Sequence, residues 1–129
     1  MIVLDASAAV ELLGDTSSGK RILARLSGEG VLHAPHLLDI EVVSAFRRQS
    51  AQGAIAAKRV EQALAQYRRL RILRYPHYPS LERIWGLQHN FSAYDACYLA
   101  LTEVLAATLL TRDNALASAH LGRGNIEVI

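Results

Sequence analysis

Four short apolar runs, at residues 1–4, 31–33, 71–74 and 107–110, are separated by much longer stretches of helical spacing. Runs so far apart cannot be joined by hairpins. Helical connections between them make right-handed crossovers, and crossovers make neighbouring strands parallel. A short edge strand at 126–129 would complete the set. The pattern therefore predicts a three-layer α/β/α domain around a mainly parallel sheet of four to five strands.

The connecting helices are expected at 8–13, 20–26, 55–70, 81–87 and 92–105, with a short one at 115–119. Another opens at Pro35 and ends near Gly53, because proline is well suited to a first helical position. Gly14 and Gly19 break the chain after the first helix, and Gly28 and Gly30 punctuate it before the second strand.

At 129 residues, 51% apolar and 20% charged, the chain has the composition of one folded domain spanning 1–129, which excludes disorder. The single cysteine, Cys97, excludes an internal disulfide and fits a reducing compartment. Asp5 interrupts the apolar start, so no secretory leader is expected. The longest apolar stretch, 98–110, contains Glu103 and is shorter than the ~20 residues that cross a bilayer. A cytoplasmic protein that does not enter membranes is the expectation.

In a parallel sheet the C-terminal strand ends share one edge, where ligand sites form. Asp5 directly follows the first apolar run, and Asp113 follows the fourth after Thr111-Arg112. Asp95 lies in the first turn of the helix begun at Ser92, which leads into that fourth strand. Glu41 lies about two turns into the helix after the second strand, among Leu37, Leu38, Ile40, Val42 and Val43. A carboxylate so surrounded needs solvent or a positive partner. Its helix face also carries Ser44 and Arg48.

Each acid has a plain alternative use. Asp5, Asp95 and Asp113 are all spaced to cap helices, and Glu41 could be solvated. Together they imply more. Two carboxylates ~5 Å apart repel by roughly 3 kcal/mol at an effective dielectric of ~20, so several at one edge raise their pKa values or draw in a cation. Without a Cys/His cluster beside them, an all-oxygen site selects Mg²⁺ or Mn²⁺, ions suited to hydrolysing phosphodiesters.

The charge supports such a substrate. The formal net charge of +2 hides a segment from Arg47 to Arg74 carrying eight basic residues against only Glu61. Arginine supplies 12 of the 14 basic residues, which favours bidentate phosphate contacts. Arg48, on the Glu41 face, Arg47 beside it, and Arg112 next to Asp113 are the candidate contacts to the phosphates of a nucleic acid.

Other motifs fail. The Gly14–Lys20 stretch nearly spells a phosphate-binding loop, but a helix precedes it and Arg21 stands where a metal-binding hydroxyl belongs. His33 and His36 lack companions at zinc spacing, and Cys97 is placed for packing. A phosphate-accepting receiver domain would need an acid after the third strand, where Tyr75-Pro76 stands. A non-catalytic nucleic-acid-binding module would leave the acids unexplained.

Asp5-x-Ser7, Pro35-x-Leu37-x₃-Glu41-Val42, Ser92-x₂-Asp95-Ala96-x-Tyr98-Leu99-Ala100 and Thr111-x-Asp113-x₂-Leu116, in this order, resemble the PIN domain and more narrowly the VapC toxins. The resemblance implies a metal-dependent endoribonuclease, the toxin of a type II toxin–antitoxin module, cutting tRNA or rRNA. A PIN-type nuclease of RNA processing is the alternative within the family. Asp5, Glu41, Asp95 and Asp113 would be the catalytic acids that hold Mg²⁺ or Mn²⁺, with Ser7 and Thr111 supporting them. A further acid found in some relatives is Ala115 here, which leaves one-metal and two-metal catalysis both open. The implied partners are a VapB-like antitoxin covering the acidic edge, RNA, a second copy of the chain, and operator DNA for the larger complex.

Overall fold

The computed structural model describes residues 1–129 as thirteen elements, five of them strands. The strands are β1 (Ile2–Leu4), β2 (Leu32–Pro35), β3 (Ile72–Tyr75), β4 (Thr108–Thr111) and β5 (Asn125–Val128). They form one sheet in the order β3-β2-β1-β4-β5, and every neighbouring pair is parallel. The helices are α1 (Ala6–Leu12), α2 (Ser17–Leu26), α3 (Leu37–Ala51), α4 (Ala57–Tyr67), α5 (Leu81–Gly86) and α6 (Ala93–Leu105), with 3₁₀ turns at Tyr78–Ser80 and Asn114–Ser118. The expected α/β/α architecture is thus present with five strands.

Central β1 pairs Ile2, Val3 and Leu4 with Thr108, Leu109 and Leu110 of β4, and Ile2 and Val3 with Leu32 and His33 of β2. All three β1 side chains are buried, as expected of a strand covered on both faces. α1 packs on α2 and α3, while α6 packs on β1, β2 and β4 with α5 beside it. α6 is buried continuously from Ala96 to Thr102, where alanines at 96 and 100 allow close approach. The chain leaves β1 toward β2 and returns from β3 to β4 on the other side. This reversal opens a crevice at the end of β1, immediately before Asp5.

Three local expectations are corrected. Pro35 does not open a helix but ends β2, paired with Tyr75. Alternate β2 N–H groups point toward β3, as in Leu32 N–H to Arg71 O and His36 N–H to Tyr75 O. The nitrogen of Pro35 therefore faces β1, whose ladder with β2 has ended at His33, and its missing N–H breaks no bond.

The helix expected from 20 begins at Ser17, with Thr16 as its N-cap accepting from Gly19 N–H at 2.9 Å. Gly19 is required by packing, since a Cβ there would stand 2.5 Å from Glu11 O. This accounts for the near-miss phosphate loop. Lys20 lies 3.9 Å from Asp15. The helix read at 55–70 is confined to Ala57–Tyr67.

Candidate active site

The sheet edge at the end of β1 gathers the candidate residues in layers of support. Asp5 is only 7% exposed. Its Oδ2 accepts from Ser7 N–H at 3.2 Å, from the Thr111 hydroxyl at 2.8 Å and from the Ser7 hydroxyl. The Ser7 and Thr111 oxygens are 3.3 Å apart. Ser7 Oγ also accepts Arg112 N–H at 2.9 Å, and Thr111 Oγ1 accepts Asp113 N–H at 3.0 Å. Two hydroxyls therefore tie the end of β1 to the segment after β4. They leave Asp5 Oδ1 without a protein hydrogen bond.

The capping roles are real as well. Asp5 caps α1, Asp113 caps the following 3₁₀ turn through Ala115 N–H at 2.8 Å, and Ser92 caps α6 through Asp95 N–H at 3.1 Å. Capping employs one carboxylate oxygen of Asp5 and one of Asp113, so the same residues retain a second oxygen for a ligand. The capping and ligand readings thus coexist for Asp5 and Asp113, whereas Asp95 joins its cap through its backbone N–H and its carboxylate does not close the box on Ser92 N–H.

Glu41 finds a partner of unexpected type. Its Oε2 accepts the Tyr98 hydroxyl at 2.6 Å, a neutral donor rather than a cation. Tyr98 is 1% exposed. It is a supporting residue to which the sequence reading assigned no role, although a signal was present. A tyrosine within an apolar helix must satisfy its hydroxyl, and a carboxylate among aliphatic residues must find a donor. Burial and the Glu41 bond together push the Tyr98 phenol far up, so it remains a donor at every ordinary pH.

Burial raises the Glu41 carboxyl above its ordinary range; the Tyr98 bond opposes this, and the charges of Asp5 and Asp95 add to it. Asp95 is raised likewise by burial, opposed by Ser92 and reinforced by Asp113 and Asp5. The charge of Asp5 thus bears on both Glu41 and Asp95, and that of Asp113 on Asp95. None is in a salt bridge, whereas Glu11, Asp15, Glu29, Asp39, Glu103 and Glu127 all have cationic partners.

A pH dependence follows. An acid whose folded pKa is raised holds its proton more tightly when folded, so its ionisation at neutral pH costs stability. That cost disappears as pH falls through the raised value into the ordinary carboxylate range. Glu41→Gln is expected to melt above wild type at pH 7 in chelator, with the gap closing as pH is lowered. Melting curves of both proteins from pH 7 to pH 4 check this.

No group of three His, Cys, Asp or Glu side chains, as placed, converges on one point closely enough to hold an ion. The donor chemistry nevertheless fits a hard divalent cation. Asp5 Oδ1, Glu41 Oε1 and Asp113 Oδ2 are oxygens free of protein hydrogen bonds, and they and the Asp95 carboxylate, beside the Ser92 hydroxyl, belong to residues that form no salt bridge.

Of the basic candidates, Arg48 lines a groove of about 380 Å³ beside Glu41, together with Ser44, Ser7 and Arg112. The shared helix face of Glu41, Ser44 and Arg48 is thus as expected. Arg47 is exposed but does not line the groove. The basic segment is not one surface. Arg74 is bound to Asp39 at 2.8 Å, Arg59 donates to Leu13 O at 2.6 Å, and Arg69 and Arg71 border a different groove at the N-terminal strand edge.

His33 bonds to the Tyr75 hydroxyl at 2.8 Å, and His36 packs edge-on against His77. Burial pushes the Cys97 thiol up to about 11, which excludes a thiolate nucleophile at neutral pH.

A parallel sheet presenting unpaired acids at its switch point is the frame of the PIN domain, and the PIN-domain family model matches residues 2–120. The chain belongs to that family. Within it the similarity is to VapC-type members. Ribonuclease VapC9 of Mycobacterium tuberculosis is 39% identical over 129 residues, covering 100% of this chain and 98% of the relative. Ribonuclease VapC1 of the same species is 42% identical over 118 residues, or 91% and 89% of the two chains. The crystal structure of PAE2754 from Pyrobaculum aerophilum shares the fold, with a TM-score of 0.66 at 20% identity over 96% of this chain and 87% of that one.

Proposed function

We propose that this protein is a Mg²⁺- or Mn²⁺-dependent endoribonuclease, the toxin of a type II toxin–antitoxin module, whose RNA target is a tRNA or rRNA. The observation that carries the reading is the set of four carboxylates without a salt-bridge partner at the C-terminal edge of the sheet, two of which, Glu41 and Asp95, are raised by burial and by the charges of their acidic neighbours. The names of the VapC relatives, all ribonucleases, support it.

Asp5 and Asp95 would be the principal holders of the ion, with Glu41 and Asp113 completing the oxygen set. Bound there, a divalent ion supplies a polarised water and neutralises charge that develops on the phosphoryl oxygens. The remaining work belongs to the chain. Ser7 and Thr111 aim Asp5 by occupying its Oδ2, and Tyr98 aims Glu41 by occupying its Oε2. Arg48 offers an unpaired guanidinium to a phosphate of the strand, and Ser44 lines the same wall.

The basic and acidic surfaces would be covered by a VapB-like antitoxin. A homodimer and a larger complex with antitoxin on operator DNA belong to the same proposal, as does a cytoplasmic location. No helix is long and apolar enough to cross a membrane.

Incubation with total cellular RNA tests the reading. Cleavage is expected with Mg²⁺ or Mn²⁺, is expected to stop in excess chelator, and is expected to return when the ion is restored. Attack by water leaves a phosphate on one fragment and a free hydroxyl on the other. Full activity in chelator, or fragments ending in a 2′,3′-cyclic phosphate, would overturn the mechanism.

A further inference from the structure

Arg48 and Arg112 both line the groove beside Glu41, but in different electrostatic states. Arg48 has no ion-pair partner. Arg112 Nη1 lies 2.6 Å from Glu11 Oε2, which lines the same groove. Glu11 is anchored in turn, because its Oε1 accepts the Thr16 hydroxyl at 2.5 Å and Thr16 is fixed as the cap of α2. At the other end, Arg112 is held through its backbone N–H by Ser7 Oγ, the hydroxyl that also serves Asp5. A carboxylate oxygen on a guanidinium occupies the place that a phosphate oxygen would take, since both accept the same charge-assisted hydrogen bonds.

We propose that Glu11 is a built-in competitor of RNA phosphate for Arg112, a part of this chain that limits how tightly the groove binds its substrate. The proposal rests on the ribonuclease reading above. An RNA strand passing the acidic edge along α3 meets Arg48 first as a free cation, and gains Arg112 only by displacing Glu11. The pair is partly exposed, so the exchange is inexpensive. Thr16 holds the Glu11 carboxylate where it meets Arg112, so the competitor is already in place when a phosphate arrives. Glu11 therefore opposes binding through one identified partner and not merely as a diffuse negative charge.

The test is binding of a fluorescent single-stranded RNA dodecamer, followed by anisotropy across a salt series. The Asp95→Asn protein is the parent, to prevent cleavage. Glu11→Gln preserves volume and the acceptor for Thr16 while removing the charge. It is expected to tighten binding roughly fivefold, the scale of an exposed ion pair. The slope of log affinity against log salt should steepen by about 0.7, one added phosphate contact on a single strand. Arg112→Gln is expected to weaken binding, and the double variant to match Arg112→Gln alone. Glu11→Ala, which deletes the side chain, provides a second version of the same comparison.

Two results overturn the proposal: unchanged or weaker binding by both Glu11 variants, or an equal gain when Arg112 is already absent. Cleavage by wild type, assayed in parallel, separates the two levels. Cleavage with no Glu11 effect removes the competitor and leaves the ribonuclease; neither cleavage nor RNA binding removes both.

Discussion

Asp95→Asn is expected to lose more than about a hundredfold of its RNA-cleaving rate while remaining folded, because supporting residues around a metal alone are worth 10–100-fold. Asp95 is held by α6, whose first turn is capped by Ser92 through the backbone of residue 95 and not through its carboxylate. The substitution therefore leaves the cap intact. It also removes one of the charges that raise Glu41, so the folded state loses an unfavourable contribution. A melting temperature at or above that of wild type, together with lost cleavage, is the expected pair of results. Retained cleavage would remove Asp95 from the catalytic set.

The converse dissociation is expected at Leu110. This β4 side chain is fully buried, its residue pairs with Leu4, and its carbonyl accepts Asp5 N–H at 3.1 Å. Leu110→Ala removes buried methyl groups and leaves a cavity in a sheet covered on both faces, at a cost of about 3 kcal/mol. For a domain of this size the melting temperature should fall by on the order of 10 °C. Well below that temperature the backbone bond to Asp5 persists, so cleavage per folded molecule should stay close to wild type. A large loss of rate in the fully folded variant would show that the position of Asp5 depends on packing behind β4.

The fold was legible because each helix-forming stretch separates two apolar runs, leaving parallel pairing as the available connection. Errors arose where a residue suits two structures. Pro35 is as acceptable at a helix start as at a strand end beyond its neighbour's ladder, and its local sequence does not reveal where β1 stops. Gly19 looked like a chain breaker. It is instead a helical residue whose small size lets α2 approach Glu11 O, a requirement set by an element eight residues earlier.

The candidate site divides in the same manner. Asp5, Ser7, Thr111 and Asp113 are adjacent to strand ends, so topology by itself brings them to one edge. The fate of the charges is different. Asp39 and Glu41 are two residues apart on α3, yet Asp39 is neutralised by Arg74 from β3 while Glu41 receives only a phenol from α6. The basic segment likewise disperses, with Arg74, Arg59, Arg69 and Arg71 drawn to other parts of the molecule.

The amino-acid sequence alone determined the parallel sheet and the edge at which Asp5, Asp95 and Asp113 stand, because these follow from local order along the chain, while the resemblance to a family marked Ser7 and Thr111. Only the tertiary structure decided which acids remain without a cation, that Tyr98 holds Glu41, and that Glu11 already occupies Arg112. Ion pairs and buried hydrogen bonds form between groups brought together through space, and local spacing does not encode their partners.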